Sequence, residues 1–256
     1  MKKITSRDNP DFRHLQHLAR SSKSRRAAGQ TLLDGAHLID AYVTAFGEAS
    51  VTLVARASSL ESAQVRQRLD AGRPCIVLAD GLFNELSPVD TPSGVMAVVA
   101  IPMESNVIAT GLTVFVDGVQ DPGNLGAILR SAAAAGAARV VLSPECADPW
   151  SPKCLRGGMG AQFVLAVQDH QDLVASVRAF RGRVLAADAQ ARTTLFDADL
   201  QDPVGFVVGA EGLGVSAEVL AVCAGRVRIP MEPGVESLNA AAAATLLFYE
   251  WRRRRG

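Results

Sequence analysis

Apolar residues along the chain fall into short unbroken runs, separated by longer segments in which they return every three or four positions. The first part reads as a small α/β domain. Strands are expected at 31–33, 51–55, 75–79 and 95–100, where apolar residues run together between turn-forming ones. Asn9-Pro10 marks a helix start, with Asn as cap and Pro at the first helical position, and Phe12, Leu15 and Leu18 give that helix one apolar face. Further helices are expected at 36–46, from the Ser58-x-x-Glu61 capping box to about Ala71, and as a short turn at 82–86. Residues 21–30 are polar, basic and loop-like.

Residues 101–111 break this pattern and read as a linker between a domain at 1–100 and a second at 112–256. Strands of the second are expected at 112–116, 139–142, 163–167, 183–187, 205–208 and 227–229, with helices between most of them. Their apolar residues do not alternate with polar ones, as in a parallel sheet covered on both faces. Near the end, two prolines and Gly234 enforce a loop, and Ser237 or Asn239 can cap the helix that follows. That helix opens with five alanines, Ala240 to Ala244. Alanine favours helix and leaves a face without bulk, which other backbone can approach closely.

Composition narrows the class. The chain has 256 residues, 48% hydrophobic and 20% charged, which suits a globular protein with a substantial core. No run is long enough to span a bilayer, and the start lacks the apolar centre of a signal peptide, so a cytoplasmic protein is expected. Cys75, Cys146, Cys154 and Cys223 form no C-x-x-C pair, and no histidine lies near one, so no metal site is expected. Net charge is zero but uneven. Residues 1–30 carry eight Lys/Arg against Asp8 and Asp11, and Arg252 to Arg255 close the chain, leaving the middle acidic. Basic ends on an acidic body fit a polyanion held at defined places, or solvated tails.

Three loops of the second half each follow an expected strand and mix glycines with a few polar groups. In Asp117-Gly-Val-Gln-Asp-Pro-Gly-Asn-Leu-Gly-Ala-Ile-Leu-Arg130, Asn124 is the expected helix cap, and Asn124 and Arg130 both lie near the N-terminal mouth, where anions are favoured. In Gly209-Ala-Glu-Gly-Leu-Gly214, three glycines allow close backbone approach to a ligand, with Glu211 among them. This is not G-x-G-x-x-G, and a dinucleotide site would place its glycine loop after the first strand, so a nucleotide-dependent oxidoreductase is disfavoured. The third loop is Ile229-Pro-Met231 through Ser237-Leu-Asn239 into the alanine helix.

In this order and spacing the three loops resemble the motifs of the SpoU-type (TrmH-like, SPOUT class) 2′-O-ribose RNA methyltransferases. The likeness spans about residues 112–250. Ser6-Arg-Asp-Asn-Pro and Leu33-Asp34-Gly35 resemble, more weakly, that family's N-terminal RNA-binding domain, although Asp34 stands where Glu is commoner. The resemblance implies an α/β fold whose C-terminal, mostly parallel domain is tied in a trefoil knot, with a smaller N-terminal α/β domain for RNA. It implies S-adenosylmethionine bent in the knot, held around Gly209, Gly212, Ile229, Met231 and Leu238. It implies a homodimer with the active site near the subunit interface, and no metal.

By motif match, Arg130 would activate the ribose hydroxyl, or hold an RNA phosphate and stabilise developing charge, since a guanidinium is normally too basic to give up its proton. Asn124, Glu211, Ser237 and Asn239 would orient Arg130, substrate and cofactor. Arg156, in Arg156-Gly-Gly-Met-Gly-Ala, would contact phosphate, with Lys23, Arg25 and Arg26 as further contacts. With aromatic residues scarce before residue 80, recognition by shape and backbone is expected rather than base stacking. Ribosomal RNA is favoured over transfer RNA because of the extra first domain. A non-catalytic RNA-binding or assembly factor with the same fold is the alternative of a different class.

Overall fold

The computed structural model describes residues 1–69, 72–103 and 111–255, in two compact units. Most of the expected linker, 104–110, and Ala71, where the helix from the capping box was expected to end, lie outside the described residues.

The first unit is built on β1 (Lys2–Ile4), α1 (Pro10–Arg20), α2 (Ser22–Ala28), β2 (Gln30–Asp34), α3 (Ala36–Phe46), β3 (Thr52–Arg56), α4 (Ala63–Leu69), β4 (Cys75–Leu78), α5 (Asp80–Leu86) and β5 (Val95–Ala100). Its strands form one mixed sheet in the order β1-β4-β3-β5-β2. Successive strand residues serve opposite faces. Leu33, Leu53, Ala55 and Ala97 join one core with Ile39 and Tyr42 of α3. Leu32, Val54, Met96 and Val98 join the other, with Phe12, Leu15 and Leu18 of α1 and Phe83 of α5.

Two expectations in this unit fail for identifiable reasons. Residues 21–30 are not a loop: the Ser21 hydroxyl accepts from Ser24 N and caps α2, and Gly29 in the left-handed region closes it. The helix expected from Ser58 is broken into a 3₁₀ turn, Ala57–Ser59, and α4. The Ser58 N–H is taken by Asp80 Oδ1 at 3.0 Å, so the capping box does not form.

The second unit contains β6 (Leu112–Asp117), α6 (Pro122–Ala135), β7 (Arg139–Leu142), β8 (Ala166–Gln168), α8 (Leu173–Ala179), β9 (Arg183–Ala187), β10 (Val204–Gly209), α9 (Ala217–Val222), β11 (Gly225–Val227) and α10 (Ala240–Arg253). Its six strands pair in parallel in the order β11-β9-β10-β6-β7-β8. Phe115, Val141, Val184 and Val207 pack against Leu173 and Val177 of α8 and Val219 of α9. α6 and α10 pack on each other, the Ser131 and Thr245 hydroxyls meeting at 2.7 Å, and Phe248 of α10 lies 6.4 Å from Phe206 of β10. The strand expected at 227–229 ends at Val227, just short of Pro230, and the one expected at 163–167 begins only at Ala166.

Residues Trp150–Phe163, which the sequence reading placed in the second series, cluster with the first unit. They contain α7 (Pro152–Gly158), whose Leu155 joins the core beneath α3, as does Phe163, edge-on to Tyr42 at 5.4 Å.

The closing arginines are not a free tail. Arg254 donates to the carbonyls of Leu195, Phe196 and Ala198, and with Arg253 it pairs with Glu250. Arg255 lies over the buried Trp251 ring and pairs with Asp202 at 2.8 Å. Among the described residues no helix is long and apolar enough to cross a membrane.

Candidate active site

The loops after β6 and β10 and the start of α10 meet in the second unit. Gly209 ends β10 opposite Asp117, which ends β6. Ala210 and Gly214 then exchange two backbone hydrogen bonds, closing a tight hairpin whose turn uses positive φ at Gly212 and Gly214. A Cβ at Gly209 would sit 2.1 Å from the Gly214 carbonyl carbon, so only glycine lets the hairpin fold back this closely. Asp117 Oδ2 accepts from Ser216 N at 2.8 Å and fastens the far end of the loop.

Glu211 stands on this hairpin as the hub of a polar cluster. Its Oε1 accepts from Asn124 Nδ2 at 2.8 Å, from Asn239 Nδ2 at 2.6 Å and, weakly, from Ala240 N at 3.5 Å. Asn239 Nδ2 also donates to Asn124 Oδ1 at 3.0 Å. Asn239 caps α10 as well, its Oδ1 accepting from the N–H groups of Ala241 and Ala242, which decides between the two caps the sequence left open. Asn124 is not the cap of α6. Asp121 holds that place, accepting from Asn124 N at 2.8 Å, and this releases the Asn124 side chain for the cluster.

Two cavities flank the hairpin and share Ala210, Glu211 and Leu213. The larger, about 690 Å³, is lined by Gly209, Gly212, Ile229, Met231 and Leu238, the five residues expected to hold a cofactor, and by Ser237 and Asn239. Its apolar wall includes Val208, Val227, Ala240 and Ala243. The smaller, about 240 Å³, is lined by Gln120, Asp121 and Asn124. Ser237 is exposed and makes no hydrogen bond to a described residue.

The chemistry of the larger cavity discriminates between ligands. Its wall carries Asp188, Glu211 and Glu236 against Arg228 alone, with Asp188 paired to Arg226 at 3.2 Å. Such a wall disfavours a pyrophosphate and suits a cationic nucleoside such as S-adenosylmethionine, with apolar surface for the base. Its size lies within the range of small-molecule sites.

Other expected residues fall elsewhere. Arg130 is exposed on α6, lines neither cavity, and makes no hydrogen bond or ion pair to a described residue. Six residues along a helix amount to about 9 Å of rise and about 120° of separation around the axis, which parts it from Asn124. Within the alanine run, Ala240, Ala241 and Ala244 are buried, Ala243 faces the cavity and Ala242 is exposed, so the bulk-free face excludes Ala242. In the first unit, Lys23 and Arg26 are exposed, but Arg25 is buried and donates to the Leu18 carbonyl at 2.6 Å. That bond secures the end of α1 and removes Arg25 from the expected phosphate contacts. Arg156 is half-exposed and lies 3.4 Å from Asp34 Oδ2.

Sequence reading gave no role to Asp121, Asp117 or Leu213. Asp before Pro at a helix start was a visible signal for the first. The other two depend on how the loops fold back, which spacing does not reveal. Among the described residues no group of three or more His, Cys, Asp or Glu side chains could hold a metal ion.

Comparison with known proteins places this geometry. Residues 111–249 match the model of the SpoU rRNA Methylase family, and residues 9–97 match that of the MRM3-like substrate binding domain. An uncharacterized tRNA/rRNA methyltransferase of Synechocystis is 35% identical over 98% of this chain and 93% of its own length. The 23S rRNA (guanosine(2553)-2′-O)-methyltransferase RlmP of Bacillus subtilis is 30% identical over 98% of this chain and all of its own. The crystal structure of the SpoU methyltransferase AviRb from Streptomyces viridochromogenes, in complex with the cofactor AdoMet, superposes with a TM-score of 0.86, at 31% identity over 96% of this chain and 98% of that one. The chain belongs to the SpoU rRNA methylase family.

Proposed function

We propose that the protein transfers a methyl group from S-adenosylmethionine to a ribose 2′-hydroxyl of ribosomal RNA. The observation that carries this reading is the Glu211–Asn124–Asn239 cluster, with Glu211 on the wall shared by the two cavities, Asn124 lining the smaller and Asn239 the larger. A held carboxylate and two amides thus lie between the two cavities, which supports reading the larger as the room for the cofactor and the smaller as the room for an acceptor. The RNA class follows the B. subtilis relative, whose name specifies 2′-O-methylation of 23S rRNA.

In this reading Gly209, Gly212, Ile229, Met231 and Leu238 hold S-adenosylmethionine, and when bound it supplies an electrophilic methyl on a sulfonium. The chain's own task is alignment, which can account for much of such a barrier. The two amides fix Glu211, which faces the cationic centre, and Ser237, on the wall of the same larger cavity, helps orient the cofactor. Arg130 holds an RNA phosphate and stabilises charge on the reacting oxygen, since a guanidinium does not lose its proton in a protein, and the hydroxyl proton passes to solvent water. Lys23, Arg26 and Arg156 contact the RNA backbone.

We also infer a homodimer. Ala242, Leu246 and Tyr249 form an exposed stripe on α10 at helical spacing, and α6, which packs on α10, exposes Arg130 and Ala134. In such a dimer Arg130, which lines neither cavity of its own protomer, would act in the partner's site. The small-residue start of α10, whose Ala240 N lies 3.5 Å from Glu211 on the hairpin, fits a knotted C-terminus. A cytoplasmic setting agrees with the ribosomal substrate.

The test is calorimetric titration of the purified protein with S-adenosylmethionine and, separately, NAD. Binding of the first at micromolar concentration and none of the second is expected. Binding of NAD alone, or of neither at millimolar ligand, overturns the reading.

A further inference from the structure

Asp34 ends β2, at the edge of the first sheet, with its side chain fully buried. Ser87 donates its hydroxyl proton to Asp34 Oδ2 at 3.0 Å, and accepts in turn from Val89 N at 3.3 Å. Arg156 Nη1 approaches the same oxygen at 3.4 Å. Asp34 Oδ1 is buried and has no hydrogen-bond partner among the described residues. Burial pushes the carboxyl above its usual range, with Ser87 and Arg156 pulling back.

This arrangement is poor as a stabilising device. A buried carboxylate with one bare oxygen costs free energy, and one long contact to a half-exposed guanidinium returns little of it. An isosteric amide would serve the fold as well. The group that gains from the charge is Arg156, whose side chain remains 47% exposed while tethered from below.

We propose that Asp34 is a positioning residue for RNA: its buried carboxylate anchors the Arg156 guanidinium, so that the exposed N–H groups are set to take a phosphate of the substrate. The contact removes part of the rotamer entropy that a free arginine loses on binding. The inference rests on the RNA reading above, and adds that the charge at position 34 serves binding at the expense of the fold.

The test measures binding of deproteinised bacterial 23S rRNA at about 0.1 M salt by filter retention, together with thermal melting, for wild type, Asp34→Asn, Arg156→Ala and the double variant. Arg156→Ala is expected to weaken binding about fivefold and to reduce the salt slope by about one. Asp34→Asn should weaken it to a similar degree with an unchanged or higher Tm, and should add less than twofold in the Arg156→Ala background. Wild type that does not bind the RNA overturns the RNA reading and this proposal together. Wild-type binding with Asp34→Asn unchanged overturns the proposal alone. So does equal weakening in both backgrounds, a lowered Tm, or failure of Asp34→Asn to fold, because the carboxylate then serves the structure.

Discussion

Asn239 Nδ2 donates to Glu211 Oε1 across 2.6 Å, joining residues 28 positions apart in the chain. The bond ties the start of α10 to the hairpin after β10, and Asn124 closes the group from the loop after β6. Glu211→Ala and Asn239→Ala are expected to separate two roles. Both should lower methyl transfer about 10- to 100-fold in single-turnover assays. Asn239→Ala also removes the cap of α10, costing about 1 kcal/mol, whereas exposed Glu211 should change stability by about 0.5 kcal/mol or less. Equal melting temperatures for the two variants would show that the cap adds nothing beyond the hydrogen bonds that Glu211→Ala also removes.

Gly209→Ala tests the hairpin. The added Cβ would collide with the Gly214 carbonyl, so the loop must open and take Glu211 and Leu213 with it. S-adenosylmethionine affinity should fall at least tenfold by calorimetry while the sheet, read by far-ultraviolet circular dichroism, persists. Unchanged affinity would show that the hairpin does not shape the site.

Arg130→Ala should abolish methyl transfer and leave Tm and S-adenosylmethionine affinity unchanged. The side chain is exposed and has no partner among the described residues, so the fold loses nothing. Turnover at the wild-type rate would remove Arg130 from the mechanism.

Glu250 gives a pH-dependent stability. Hydrogen bonds from Arg253, together with Arg254, hold its carboxyl down at about 2 against an ordinary 4.5. A lowered folded-state pKa stabilises above the unfolded value, and that contribution disappears as pH falls toward the folded one. Glu250→Gln should therefore melt below wild type at neutral pH. The gap should close between about pH 4.5 and pH 2. A gap constant across that window would place the effect in packing.

The parallel sheet was legible because its central strands are apolar runs, and helix 36–46 was read with the bounds the structure gives. The three glycine-bearing loops were legible as a group, and the five expected cofactor residues line one cavity. What escaped depended on three-dimensional accounting. Arg25 and Lys23 are alike in sequence, yet only Arg25 has carbonyls of α1 within reach. The arginines at the end read as a charge run, but α10 places Arg254 and Arg255 against carbonyls and an acid brought in by other loops. Helix α2 (Ser22–Ala28) was missed because its stabilising parts are a cap at each end rather than an apolar stripe.

The central claim is methylation of ribose, and its most direct test is to incubate the protein with methyl-labelled S-adenosylmethionine and deproteinised 23S rRNA, then hydrolyse the RNA with alkali. A 2′-O-methyl group blocks cleavage of the adjoining phosphodiester, so the account expects the label in alkali-resistant dinucleotides. Label recovered in mononucleotides would mean base methylation, and no label in the RNA would mean no transfer to this substrate; either result contradicts the account.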